Sequence, residues 1–144
     1  MPQAFLQVNS DLTQLGQVQE WFEQFYQQHI VPLAWPQNQF YRLNLALAEG
    51  FTNAVRHAHR DRPLDTPVKL GLILNNDRQL EIRIWDYGEP FNPDVLEEPE
   101  PGSLKQHWGW FLLRRVADTV VYERCQDDRN CLLIVKHDCK PESC

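Results

Sequence analysis

The segment from Leu43 to Arg60, LNLALAEGFTNAVRHAHR, constrains this chain more than any other. Phe40, Leu43, Leu47, Phe51, Ala54 and Ala58 recur at spacings of three and four, which predicts a helix with one apolar face on a core. Glu49 and Asn53 fall one turn apart on the opposite face. Ala46 and Gly50 lie beside them and carry almost no side chain. A solvated face would carry Lys, Gln and Glu there, and Gly inside a helix costs about 1 kcal/mol relative to Ala. The pattern predicts that something sits against this face. A magnesium–phosphate group suits an oxygen-bearing pair, since Mg²⁺ takes oxygen ligands and keeps several waters. An ordinary exposed Glu and Asn at this spacing is the plainer alternative.

Downstream, Leu80, Ile82 and Ile84 alternate with Glu81, Arg83 and Trp85, the pattern of a half-buried strand. It runs into Asp86-Tyr87-Gly88. Such an ending is either a plain turn or a carboxylate aimed into a pocket, where it would accept a hydrogen bond from an exocyclic amine. Gly88 would then let the backbone come close to a ligand. Residues 91–106 are rich in proline and acidic side chains and show no apolar periodicity. A loop of that length is a lid over a ligand or a disordered insertion. His107-Trp108-Gly109-Trp110 then opens an apolar helical pattern over 110–117. Glycine at that point either offers free backbone N–H groups to an anion or is an ordinary helix entry.

Taken in order, AEGFTNAVRHA (48–58), DYGEPFNP (86–93) and GWFLLRRVADTVVY (109–122) resemble the GHKL, or Bergerat, ATP-binding fold. Within it they resemble the small bacterial anti-sigma factor serine kinases, and FLQVNSDLTQLGQVQEWFEQF (5–25) looks like that family's first strand and helix. The resemblance covers nearly the whole chain. It implies ATP and Mg²⁺ as cofactors. It implies Asn53 as the magnesium ligand and Glu49 as the general base for a serine hydroxyl or a water. It further implies Asp86 as reader of the adenine amino group, Gly88 as the glycine that makes room for nucleotide, and Gly109 as a phosphate-side glycine. His107 stands where the family has a further glycine, and an imidazole contact to phosphate could replace the backbone contacts. Asn130-Cys131 stands where the family often has Gly-Thr, which removes a hydroxyl, and the lid is acidic.

The implied function is an ATP-binding anti-sigma factor with serine/threonine protein kinase activity toward an anti-anti-sigma (STAS) protein. Its partners would be that protein and a sigma factor, with a homodimer also open to it. The alternatives are a nucleotide-dependent binding module without kinase activity, and an interaction domain that binds no nucleotide. The net charge of −6 and pI near 5.3 argue against direct nucleic-acid binding, which needs a basic field. The basic cluster Arg56, His57, His59, Arg60 and Arg62, and the pair Arg114-Arg115, are solvated helix ends or contacts to phosphate or an acidic partner.

No stretch approaches the ~20 apolar residues of a membrane span, and no signal peptide is visible, so a cytoplasmic chain is expected. Cys125, Cys131, Cys139 and Cys144 form no C-x-x-C pair, and reduced structural thiols are expected rather than zinc. The five tryptophans are expected mostly in packing.

The coarse organisation is a strand over 4–9, a helix from a Ser10 or Asp11 cap to about His29, and the helix carrying Glu49 and Asn53. Strands over 67–75, 80–85, 119–124 and 131–137 follow, with a helix between the last two pairs. With no repeat and no dividing linker, the 144 residues are expected to form one domain. Its class is α+β, a two-layer sandwich with a mixed, mostly antiparallel sheet and helices on one face.

Overall fold

Alternation of apolar and polar residues builds the sheet. The computed structural model describes residues 2–89 and 108–137, with the backbone alone for 108–110. The expected lid, His107 within it, and Cys139 and Cys144 lie outside the described residues. Among the described residues the strands are β1 (Gln3–Asn9), β2 (Pro67–Asn75), β3 (Gln79–Asp86), β4 (Thr119–Arg124) and β5 (Asn130–His137). They lie in the order β1-β2-β3-β5-β4, and each described pairing is antiparallel. The β2–β3 turn carries positive φ at Asn76 (53°) and Asp77 (59°), as a tight mirror-image hairpin turn demands. Asn and Asp tolerate that region better than other side chains. The Trp35 indole donates to Asp77 O at 3.3 Å and ties this turn to the segment after the first helix.

Three helices, α1 (Leu15–His29), α2 (Asn38–Asn53) and α3 (Trp108–Val116), complete the described fold. Asp11 accepts from the Thr13 N–H and starts a short 3-10 turn that feeds α1. Every second residue of β2 and β3 (Val68, Leu70, Leu72, Leu74; Leu80, Ile82, Ile84) is buried, as are Leu132 and Ile134 of β5. They meet Val18 and Phe22 of α1 and Leu43, Leu47 and Phe51 of α2. Burying each such side chain stabilises the fold by about 1.5–3 kcal/mol. The other sheet face carries Phe5 and Trp85, with ring centroids 6.4 Å apart and the Lys69 ammonium over both.

Two features differ from expectation. Ala46 and Gly50 are buried rather than open to solvent, and a Cβ on Gly50 would come within 2.6 Å of Ile84 Cδ1 and 3.1 Å of Leu132 Cδ2. The missing side chain of Gly50 lets α2 settle onto Ile84 of β3 and Leu132 of β5. The helix also does not run on evenly to Arg60. After Asn53 it widens into a π-turn, Ala54–Ala58, in which the His59 N–H reaches back five residues to Ala54 O at 2.9 Å.

Candidate functional site

The site begins with the parity of β3. The same period of two that buries Leu80, Ile82 and Ile84 delivers Asp86, the last residue of the strand, into the layer between sheet and helices. Its carboxylate is 2% exposed, and a buried charge needs donors. Oδ1 accepts from the Gly88 N–H and from the Asn130 side-chain amide, both at 2.9 Å, and Oδ2 accepts from the Tyr122 hydroxyl at 2.7 Å. Asn130 sits directly opposite Asp86 in the β3–β5 register, and Arg124 sits opposite Asn130 on β4. The row is extended by Asn130 and Arg124, which each donate to Gly88 O at 3.0 Å. Burial and the charge of Asp86 push the Tyr122 hydroxyl well above its ordinary range, so it stays protonated and donates.

The π-turn clamps the loop after β3. A Cβ on Gly88 would lie 2.6 Å from Ala58 O and 2.9 Å from Ala58 Cα, so the missing side chain makes room for the helix backbone. One residue on, the buried His59 ring accepts the Tyr87 N–H at Nε2, 2.8 Å away. Nε2 must therefore carry a lone pair, which leaves the proton on Nδ1 to donate to Ser10 Oγ at 3.0 Å. One neutral imidazole thus joins the end of β1, the π-turn and the end of β3. Burial holds its pKa below the ordinary histidine value, against an opposing pull from Asp86.

Between α2 with its π-turn and the ends of β3 and β5 lies a cavity of about 660 Å³. Its walls include Gly50, Ala54, Ala58, Ile84 and Leu132, with Asp86 and Tyr122 as polar groups. Exposed residues line it too: Arg60, Asp61, Arg62 and Glu89. Apolar walls with a few convergent polar groups are what a small-molecule site needs.

The expected site residues fall unevenly about this space. Asn53, half-buried at the end of α2, lines the cavity, and so does Asp86. Glu49 is half-buried one turn earlier and is not among the lining residues. Gly88 lies under Ala58, Gly109 is the second residue of α3, and His107 is outside the described residues. Sequence reasoning gave no role to Tyr122, read Asn130 only as part of a pair that lacks a hydroxyl, and took His59 as one of a basic cluster. Asn130 shares the inward parity of Leu132 and Ile134, and starting the strand there rather than at 131 would have marked it. Among the described residues no group of three His, Cys, Asp or Glu could hold a metal ion, and no helix is long and apolar enough to cross a membrane. Cys125 and Cys131 are free thiols, and burial pushes that of Cys131 up to about 11.

Comparison with known proteins gives two findings. A solved structure, "The crystal structure of the RsbU and RsbW domains of Rv1364c from Mycobacterium tuberculosis", matches with a TM-score of 0.68 at 11% identity, over 98% of this chain and 34% of that one. The chain thus spans about a third of that protein's length, and at this identity the likeness concerns the fold. No curated protein matches. The family model described as "Histidine kinase-like ATPase domain" matches residues 8–136, from the end of β1 through β5 and so through the whole of the cavity. The chain belongs to the histidine kinase-like ATPase domain family.

Proposed function

We propose that the cavity binds the adenosine end of ATP, and that the chain is an ATP-binding anti-sigma factor acting as a serine/threonine kinase on an anti-anti-sigma (STAS) protein. A sigma factor is its other partner in this reading. The observation that carries it is the buried Asp86 carboxylate on the wall of the cavity, beside the apolar Ile84 and Leu132. A flat ring with an exocyclic amine fits such a wall: the ring lies against apolar side chains and the amine donates to the carboxylate. Family membership supports a nucleotide as the ligand. The RsbW domain named in the solved neighbour supports the choice of partners.

Magnesium fits the residues present in a limited way. Asn53 offers an amide oxygen on the cavity side, and no protein cage surrounds it among the described residues. That suits an ion completed by phosphates and waters, and when bound it would offset triphosphate charge. Arg60 and Arg62 add positive charge at the cavity for the phosphates. Glu49 would accept the proton of the serine hydroxyl. A second reading is a nucleotide-dependent binding module without transfer, since His107 stands where the family has a further glycine near the phosphates.

Calorimetry with Mg-ATP tests the first part. The wild-type chain should bind in a magnesium-dependent way and Asn53→Ala should lose that dependence; equal affinity in both would refute the metal assignment. Transfer of labelled γ-phosphate to the serine of a STAS protein from the same organism tests the second. Binding without transfer would leave the module.

A further inference from the structure

Asp86 is nearly saturated from within the protein. A carboxylate has about four lone-pair positions, two on each oxygen. Gly88 N–H and the Asn130 amide take both on Oδ1, and the Tyr122 hydroxyl takes one on Oδ2. The position left lies on Oδ2, the oxygen that already holds the Tyr122 proton. Tyr122 is half-buried on β4, lines the same cavity, and pairs in register with Leu132 of the cavity wall. A hydroxyl hydrogen turns about its C–O bond, so this donor can be redirected with no heavy atom moving.

The geometry points to Tyr122 as the specificity-determining residue for the base, through a donor exchange: its O–H turns from Asp86 Oδ2 to a ring-nitrogen acceptor, and the neighbouring exocyclic N–H donates to Oδ2. This rests on the adenine reading of the cavity. Adenine presents that pair side by side, an amino donor next to the N1 acceptor. The bond given up between tyrosine and carboxylate is replaced by two to the base. Guanine instead presents two parallel N–H donors, whose fork needs both carboxylate oxygens, and Oδ1 is filled by Gly88 and Asn130. The tyrosine brings to the carboxylate, from the adjacent strand, a hydroxyl that Asn130-Cys131 does not carry.

The test uses ADP and 1-deaza-ADP, in which the ring nitrogen N1 is replaced by C–H, titrated calorimetrically into the wild-type chain and into Tyr122→Phe. The wild type should bind 1-deaza-ADP about tenfold more weakly than ADP, the worth of one net hydrogen bond. Tyr122→Phe should bind the two alike. A tyrosine that only supported the wall would weaken both ligands together and keep the ratio. Equal binding of the two by the wild type overturns the proposal, and so does a tenfold ratio that persists in Tyr122→Phe. Should Tyr122→Phe fail to fold, Tyr122→Leu, which also lacks the hydroxyl, carries the same comparison, and equal binding of the two ligands by the wild type still overturns the proposal. Failure of the wild type to bind ADP overturns the adenine reading itself, which separates that outcome from the others.

Discussion

The His59 imidazole should make stability depend on pH in a way that one substitution removes. Ser10 and His59 are each 2% exposed, and the ring is held by the Tyr87 N–H at 2.8 Å and Ser10 Oγ at 3.0 Å. His59→Ala strips both groups of their partner. A buried polar group so stripped costs about 1–3 kcal/mol, which for the two puts the variant at roughly 2–6 kcal/mol less stable. That is a large share of the about 5–15 kcal/mol of a typical domain. The pH effect follows from the direction of the shift. Burial lowers the folded-state pKa below the 6.5 of an unperturbed histidine. The folded chain therefore resists protonation that the unfolded chain accepts. The contribution is complete above pH 6.5 and is lost as pH falls toward the lowered value, by at most about 1.4 kcal/mol per pH unit. The groups facing the ring are the Asp86 carboxylate, which opposes the shift, the Arg62 guanidinium, which adds to it, and the Tyr87 ring at 6.5 Å. Urea unfolding followed by tryptophan fluorescence from pH 8 to 5 measures it. The wild type should lose stability below pH 6.5 more steeply than His59→Ala, and the difference between them isolates this histidine from the others. Parallel curves would refute the tautomer and the clamp together.

The two glycines of the site should respond unequally to alanine. Gly88→Ala drives a Cβ into the Ala58 backbone and should cost roughly 1–3 kcal/mol by analogy with overpacked cores, read as a lower urea midpoint. Gly50→Ala meets only the ends of Ile84 and Leu132, and its helix-propensity gain of about 1 kcal/mol should leave stability near neutral; a loss comparable to Gly88→Ala would refute the distinction. If the kinase reading holds, Glu49→Gln should keep Mg-ATP affinity and slow phosphate transfer by about 10²–10⁴-fold, the usual worth of a general base. An equal loss of binding and transfer would make Glu49 an anchor of nucleotide or metal instead.

The strands and helices were readable because their apolar periods are clean. Val68 to Leu74 and Leu80 to Ile84 alternate without interruption, and the structure buries the expected residue of each pair. The helix over 43–60 was readable as a helix, but its faces were not fully so. Alanine and glycine carry no signal of which side they are on; Ala46 is buried, and Gly50 marks where helix and sheet approach closely. Asp86 was visible as a candidate because a strand pattern ended on it. Its partners were not, since Asn130 and Tyr122 are 44 and 36 residues away and meet it only through sheet register. His59 was read as part of a basic cluster with Arg56, His57, Arg60 and Arg62. Only the π-turn turns it inward to Ser10 and Tyr87, and nothing in the AVRHA stretch announces such a turn.

That turn also divides the chain into lengths that are free and lengths that are not. A regular helix rotates its residues by a constant step, and the wider turn at 54–58 holds one residue more than that step allows. Were the same five residues wound as regular helix, everything after Asn53 would arrive about 100° out of phase: the backbone now beneath Gly88 would face elsewhere, and the imidazole would miss β1 and β3. Residues before the turn would keep their orientation, so Glu49 and Asn53 would be undisturbed while the clamp was lost. Exposed residues 60–65 just beyond could gain or lose a position at the surface. The turn works as a phase setter between two halves of one cavity, and a substitution that straightened it into regular helix would separate them.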